Sequence, residues 1–439
     1  MWTYYPELLQ TPVPRYTSYP TAADFNDAVG ADDYAVALQN VPREAPVSLY
    51  VHIPFCDEIC WYCGCNTTRS HKKARFTAYL DALAAEIQLV SELLGGRGRV
   101  QRISFGGGSP NSVDPLDFVR LLGDITVAFE ADNPLISLEV DPRRLSSGWL
   151  SLIESAHIGN VSLGVQTFDP KVQSAIGRVQ PFDIIATLTQ KLRRAGVRSL
   201  NFDLMYGLPF QNQDSLMATL SHAIELQPDR IALFGYAHVP TVIPRQRRIA
   251  ASSLPDAVER FTMANMGHDY VTAAGYRPVG FDHYALPNDP LADAARTHRL
   301  GRNFQGFTDD TSEYLIGLGS SAISQFPDLY VQNTKNMGDY RRAIQQGGLA
   351  TERGVARDNS SRRCGTLIRN ILCDGEMRLP PDLSPMQKER IEEFACRGLV
   401  STTAGMLHLK PAAMPYARTI AAIFDPRLES KMGRFSAPV

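Results

Sequence analysis

Neither basic nor acidic residues prevail in this chain of 439: 44 Lys and Arg stand against 46 Asp and Glu, a formal net charge of -2. So weak a field recruits neither nucleic acid nor an anionic membrane surface. Apolar runs are short. None approaches the ~18 residues that a membrane helix needs, so no membrane span is expected. A basic-then-apolar order is absent from the amino terminus, MWTYYPELLQTPVPRY, whose prolines do not suit a secretory signal. Hydrophobic residues make up 44% and charged residues 21%, values that place the chain among globular proteins and not disordered ones. Cysteine is scarce and odd in number: seven in all, four of them between positions 56 and 65. That crowding suits a reducing compartment and a metal or cluster, not a disulfide framework. The expectation is a globular cytoplasmic protein.

Short β-rich runs alternate with amphipathic helical runs. Strands are expected at 47–53, 100–105, 135–140, 161–166, 199–205 and 231–236, nearly continuous in apolar character, as for parallel strands covered on both faces. Between them, apolar residues recur at helical spacing from Phe76 to Leu94, closed by Gly95 and Gly96. Asp114–Pro115 and Asp169–Pro170 read as an N-cap followed by a first-turn proline. Further helices are expected from Asp183 to Gly196, from Asp214, and from Pro255 to Ala274. Six strand–helix units with right-handed crossovers imply an α/β fold, an open partial (β/α)6 barrel. Glu139, Gln166, Asp203 and the Tyr236–Ala237–His238 run all stand where apolar strands give way to polar residues, the catalytic end of such barrels.

Texture changes after about residue 350. The stretch 352–363 reads as a polar linker. Helices are expected at 363–379 and 384–400, then two short strands around Gly405 and a last helix from Pro415. Three parts follow: a lid segment (1–45), a barrel (46–350) and a mainly helical, winged-helix-like domain (351–439). Cys364, Cys373 and Cys396 are expected in helix cores.

The first strand runs straight into Cys56–Asp57–Glu58–Ile59–Cys60–Trp61–Tyr62–Cys63–Gly64–Cys65. Thiolates are soft ligands for iron–sulfur clusters or zinc. Structural zinc usually joins two separated knuckles, and one tight loop frames a closed tetrahedron poorly. C-x3-C-x2-C can instead hold three irons of a [4Fe–4S] cube and leave the fourth iron open. Buried free thiols and zinc are the alternatives.

This motif after a first strand resembles the radical S-adenosylmethionine (SAM) superfamily. With Cys65 in CWYCGCN, it resembles the oxygen-independent coproporphyrinogen III oxidases (dehydrogenases) within it. PRYTSYPTA (14–22), FGGGSP (105–110), EVDPR (139–143), GVQTFD (164–169), FDLMYGLP (202–209), NFQGFT (303–308) and GLGSSAIS (317–324) resemble family blocks in the same order. The resemblance implies an oxidoreductase of haem (porphyrin) biosynthesis that turns two propionates of coproporphyrinogen III into vinyl groups. The product is protoporphyrinogen IX, and two SAM are consumed to methionine and 5′-deoxyadenosine.

On the same resemblance, Cys56, Cys60 and Cys63 bind the cluster and Cys65 does not. Tyr50, Gly107, Glu139 and Ile323 match positions that hold a first SAM. Tyr62, Gly108, Ser109, Gln166, Arg178, Asp203 and Ala237 match those that hold a second, with Arg178 able to pair a carboxylate bidentately. Phe is usual at Tyr62 and Thr at Ser109; ring and hydroxyl are kept. Arg15, with Tyr16 and Tyr19, is the candidate for closing the cavity over the substrate propionates. A flavodoxin or ferredoxin is the implied kind of electron donor, and a monomer is expected. His52, His238 and His283 read as packed or capped residues. Two rivals remain. A haem-binding relative typically lacks the fourth cysteine and the RYTSYPT segment, both present here. A nucleic-acid module would need more than Arg245–Arg248 and Arg362–Arg363, which read as solvated faces.

Overall fold

The computed structural model describes residues 2–69 and 73–428; positions 429–439 of the expected carboxy-terminal domain lie outside them. Helix α1 (Ala31–Gln39) precedes the barrel strands. Then follow β1 (Pro46–Ile53), α2 (Lys73–Leu94), β2 (Arg99–Gly107), α3 (Pro115–Ala128), β3 (Leu135–Val140) and α4 (Ser147–Ser155). Next come β4 (Asn160–Gln166), α5 (Pro170–Ala175), α6 (Phe182–Arg194), β5 (Ser199–Tyr206), α7 (Gln213–Glu225), β6 (Arg230–Gly235) and α8 (Ala257–Ala273). All six expected strands form and pair in parallel in the order β1 to β6. Asp114 caps α3, accepting from the Leu116 amide at 2.9 Å, and Asp169 caps α5. Three starts differ from expectation. Pro181 precedes α6, Asn212 caps α7 and Asp256 caps α8.

The sheet is larger than six strands. β7 (Arg277–Val279) and β8 (His283–Ala285) extend it antiparallel beyond β6. On the other side β9 (Tyr314–Leu318) lies parallel to β1, and β10 (Ile323–Gln325), β11 (Leu329–Asn333) and β12 (Thr351–Ala356) continue antiparallel. The order β12-β11-β10-β9-β1-β2-β3-β4-β5-β6-β8-β7 leaves two ends, so the barrel stays open. The expected linker at 352–363 is a misreading. Its first half is edge strand β12, and its second half begins α10 (Asn359–Asp374), after α9 (Met337–Gln345). An edge strand tolerates the charged residues that suggested a linker.

Beyond α10 the chain gives β13 (Glu376–Arg378), α11 (Pro385–Cys396), β14 (Val400–Thr403), β15 (Met406–Leu409) and α12 (Ala417–Ala421). The strands pair in the order β13-β15-β14. Cys373 is buried here and Cys364 half-buried, but Cys396 is exposed, contrary to expectation.

The first 45 residues are not a loose cover. Leu8, Leu9, Tyr16 and Tyr19 pack with Ile368, Phe394, Leu407 and Tyr416 in a core formed with the carboxy-terminal elements. The Tyr16 hydroxyl donates to Asp425 Oδ2 at 3.0 Å, and the Tyr416 hydroxyl donates to the Thr3 carbonyl at 2.7 Å. Tyr34 and Leu38 of α1 instead join the core under the main sheet. Tyr16 and Tyr19 are therefore core residues, and Arg15 between these packed segments is exposed. A chain starting at Ala45 loses buried side chains from both cores. Each contributes about 1.5–3 kcal/mol, against a total stability on the order of 5–15 kcal/mol. Circular dichroism melting should show no cooperative transition like that of the full chain; an unchanged midpoint would contradict this packing.

Candidate active site

β1 to β5 alternate, whereas β6 turns Phe234, not a polar residue, toward the inner side. Val47, Leu49, Val51 and Ile53 of β1 are fully buried under the helices, as are Leu200, Phe202 and Leu204 of β5. The intervening residues face inward and are polar: Ser48, Tyr50 and His52 on β1, Ser137 and Glu139 on β3, Ser162 on β4, and Asn201 and Asp203 on β5. The expectation of apolar cover on both faces therefore fails for the inner face. Several of these residues line a cavity of about 330 Å³, reached also by Phe234 and His283. Arg102–Asp309 (3.0 Å) and Arg230–Asp289 (2.8 Å) bridge toward its floor.

The cysteine loop leaves β1 and is fixed at four places. Phe55–Cys56 pairs in parallel with Thr68–Arg69. The loop after β2 docks on it: the Gly108 amide donates to Ile53 O at 2.8 Å, and the Ser109 amide to Phe55 O at 2.7 Å. The Trp61 amide donates to Ile176 O at 3.0 Å, with the indole against Gly177. Gln246, buried, donates to the carbonyls of Tyr62 (2.9 Å) and Ala237 (3.1 Å), tying the loop to the end of β6.

The glycine run serves this docking. A Cβ on Gly106 would stand 2.6 Å from the Glu139 carboxylate, one on Gly107 would overlap the His52 ring, and one on Gly108 would overlap the Phe55 carbonyl. Gly107 also has φ +103°, a conformation that disfavours side chains. His52 is a packed residue, as expected. It is bonded to Asn66 O and the Tyr50 hydroxyl, and burial pushes its pKa down to about 4.

Two guanidiniums face Cys60. Arg178 Nη1 lies 3.2 Å and Arg143 Nη2 3.7 Å from its Sγ. Arg143 also pairs with Asp141 (2.6 Å) and with Glu58 of the loop itself (3.0 Å). Arg178 donates to Gly164 O at 2.6 Å and to Asp141 at 3.4 Å, so its terminal nitrogens are engaged within the protein. Burial pushes the Asp141 carboxyl up, but Arg178 and Arg143 outweigh it and hold the pKa below the usual value. Ser109 Oγ lies 3.6 Å from Cys56 Sγ, and burial raises that thiol to about 11. Cys63 is held down to about 6, first by its hydrogen bond with Cys65. The donor set is three soft thiols with cationic neighbours, suited to an anionic iron–sulfur cluster.

Glu139 and Asp203 lie on neighbouring parts of the inner face. The Gly107 amide donates to Glu139 Oε2 at 3.1 Å; burial nevertheless raises this carboxyl to about 7, with Asp203 adding to the rise. Asp203 accepts from Ser162 (3.0 Å) and Asn201 (2.8 Å), and burial raises it too. Gln166 ends β4 at φ +67°, its side chain beside Gly164. Ile323 is brought near Tyr50 through Gly317, which pairs with Tyr50 and packs directly on the Ile323 backbone. Arg15 reaches the end of β6, donating to Gly235 O at 3.3 Å and lying 5.9 Å from the Phe234 ring.

Arg143 stood in a recognised block without a role, and Gln246 gave no signal at all. Arg245, read as solvated, is half-buried against the cysteine loop, whereas Arg248 is exposed as read and only borders it. Arg245 donates to Thr67 at 3.1 Å, and Arg248 lies 5.8 Å from the Trp61 ring.

Comparison with known proteins agrees with this geometry. Residues 50–223 match the Radical SAM superfamily. The chain is 38% identical over 443 residues to an oxygen-independent coproporphyrinogen III oxidase of Cereibacter sphaeroides, covering 98% of this chain and 97% of that one. A namesake of Pseudomonas aeruginosa is 38% identical over 431 residues, covering 95% and 94%. Among solved structures, a coproporphyrinogen III oxidase from Escherichia coli, described as a radical SAM enzyme, superposes with a TM-score of 0.91. It is 33% identical, and the match covers 97% of this chain and 99% of that one.

Gly107→Ala forces both the overlap with His52 and an unfavourable backbone. It should lower stability by about 2–4 kcal/mol in chemical denaturation. It should also weaken the seat of the cysteine loop, read as faster alkylation of Cys56 and Cys63. Wild-type stability and alkylation rates would show that the close packing is not needed.

Proposed function

The chain belongs to the oxygen-independent coproporphyrinogen III oxidases of the radical SAM superfamily, and we propose that it oxidatively decarboxylates two propionates of coproporphyrinogen III to the vinyl groups of protoporphyrinogen IX. One observation carries the reading. The C-x3-C-x2-C loop, with guanidiniums on Cys60, opens onto a polar inner face that ends in Glu139 and Asp203. As a superfamily member it uses a [4Fe–4S] cluster and SAM. When bound, these supply the electron and the 5′-deoxyadenosyl radical that takes a hydrogen from the propionate β-carbon.

In this reading Cys56, Cys60 and Cys63 hold the cluster, and Cys65, a free thiol hydrogen-bonded to Cys63, stays off it. Arg143 and Arg178 offset the negative charge gathered at Cys60. Tyr50, Gly107, Glu139 and Ile323 serve a first SAM; Tyr62, Gly108, Ser109, Gln166, Arg178, Asp203 and Ala237 serve a second. Arg178 would give up part of its present bonding to pair with a SAM carboxylate. Arg15 meets a substrate carboxylate at the barrel mouth. The inner-face cavity keeps water from the reacting centre. Among the described residues no helix is long and apolar enough to cross a membrane. We assign a cytoplasmic monomer, served by a flavodoxin- or ferredoxin-like donor and needing no nucleic acid. We divide the chain into a packed amino-terminal segment (1–45), a barrel carried from 46–350 on through β12 to residue 356, and a carboxy-terminal domain beyond it.

The test is anaerobic reconstitution followed by product analysis with coproporphyrinogen III, SAM and a reductant. Protoporphyrinogen is expected from the wild type. Cys60→Ala should lose the cluster by iron and sulfide assay, whereas Cys65→Ser should keep it and turn over poorly. Full cluster content in Cys60→Ala would refute the ligand set.

Glu139 gives a pH signature. Facing it are Asp203, Tyr50 and Cys65, none of them cationic, so its proton leaves only near pH 7. SAM carries a fixed sulfonium charge and should bind more tightly as Glu139 ionises. Affinity should rise from about pH 6 to about pH 8, by up to ~tenfold, and Glu139→Gln should be weak and flat. An equally steep rise in Glu139→Gln, measured by anaerobic equilibrium binding, would assign the titration elsewhere.

A further inference from the structure

Four arginines gather where the three parts of the chain meet. Arg15 of the amino-terminal segment, Arg260 of α8 and Arg418 of α12 line a cleft at the end of β6, together with Phe234 and Asp282. Arg302 lies alongside, its guanidinium 4.2 Å from the Phe307 ring and its Nε and Nη2 bonded to the carbonyls of Tyr16 and Arg15. Arg260 Nε, Arg418 Nη1 and Arg302 Nη1 are buried and have no hydrogen-bond partner. Among the described residues one carboxylate lines the cleft, Asp282, and it is already bonded to His283 Nδ1 at 2.7 Å. Burial lowers the pKa of Arg418 to about 10, with Arg15 adding to the effect, and lowers those of Arg260 and Arg302.

Native interiors keep few unpaired buried donors, and like charges confined together oppose folding. Guanidiniums are matched to carboxylates, which they grip with two parallel hydrogen bonds. The cleft leaves room for about 60 Å³, enough for carboxyl groups and too little for a macrocycle. Phe234 lines both this cleft and the barrel cavity that holds Glu139 and Asp203. Coproporphyrinogen III has four propionates, and only two react.

We propose that Arg15, Arg260 and Arg418 form a carboxylate clamp that grips propionates of the tetrapyrrole away from the reacting one, with Arg302 bracing it. The clamp rests on the coproporphyrinogen reading and deepens it. It accounts for the amino-terminal segment packing on the carboxy-terminal core, because only that docking brings Arg15 and Arg418 together. Each turnover presents a propionate to the barrel cavity while others stay held, and the substrate must be released and gripped again for its second decarboxylation.

The probe is coproporphyrin III, the stable fluorescent oxidised form, titrated into the full-length protein beside its tetramethyl ester. The wild type should bind the tetra-acid well and the uncharged ester poorly. Arg260→Gln and Arg418→Gln should weaken binding of the tetra-acid roughly tenfold or more, and Arg418→Lys should recover part of it. Because the buried charge opposes folding, ligand-free Arg418→Gln should melt at or above the wild-type midpoint. In reconstituted enzyme the Gln variants should raise KM for coproporphyrinogen III and keep full cluster content; the exposed Arg120→Gln is the control. Wild-type binding in folded Arg260→Gln and Arg418→Gln would overturn the clamp. So would variants that lose binding only together with their fold, with Lys no better than Gln. A wild type that never makes protoporphyrinogen would instead overturn the underlying oxidase reading.

Discussion

The Arg178 guanidinium is the joint on which the site depends. It lies between the carbonyl of Gly164 on β4, the Asp141 carboxylate beyond β3 and Cys60 in the loop beyond β1. Gln180 adds a bond at 3.1 Å. Two strand ends and the cysteine loop thus share one buried cation. Such a charge is stable only while its partners remain, and removing one partner of a buried pair costs about 3–5 kcal/mol. Thiol, carboxylate and cation therefore hold one another in place. Arg143 shares the same Asp141 and Cys60 and clasps the loop through Glu58.

That joint works because the sheet presents two unlike faces. Helices cover the outer one with aliphatic side chains, and the inner one carries hydroxyls, amides and carboxylates that can only be satisfied by one another or by a ligand. Glu139 shows the consequence, a carboxyl raised to about 7 by burial with one donor to it among the described residues. The arginine cleft is the cationic counterpart across Phe234. On the proposed reading, the acidic groups face a cationic cofactor and the basic groups an acidic substrate.

Much of this was legible before the fold. The six parallel strands have high β-propensity and are separated by capped helices, so local signals were strong. The cysteine spacing is local as well. The alternation was also present in the letters: VSLYVHI, ISLEV and LNFDLM place Ser, Tyr, His, Glu, Asn and Asp at every second residue. Counting them as continuous apolar strands overlooked the period of two that marks a wet inner face. Other features left no local trace. The added strands β7 to β12 are only three to six residues long, and β9 finds its place only through β1 at the start of the barrel. Gln246, Arg245 and Arg248 look like any polar loop until it folds back over the cysteines. Arg260, Arg302 and Arg418 are isolated arginines that only tertiary contact gathers, and the amino-terminal tyrosines owe their burial to residues about 400 positions away, such as Asp425 for Tyr16.

The central claim is that these groups bring a propionate β-carbon within reach of the 5′-carbon of SAM. The direct measurement is an anaerobic reaction of the reconstituted protein with coproporphyrinogen III deuterated at the propionate β-carbons. Deuterium should appear in the 5′-deoxyadenosine in step with vinyl formation. Protoporphyrinogen formed with unlabelled 5′-deoxyadenosine, or labelled substrate returned unchanged while SAM is cleaved, would contradict the account.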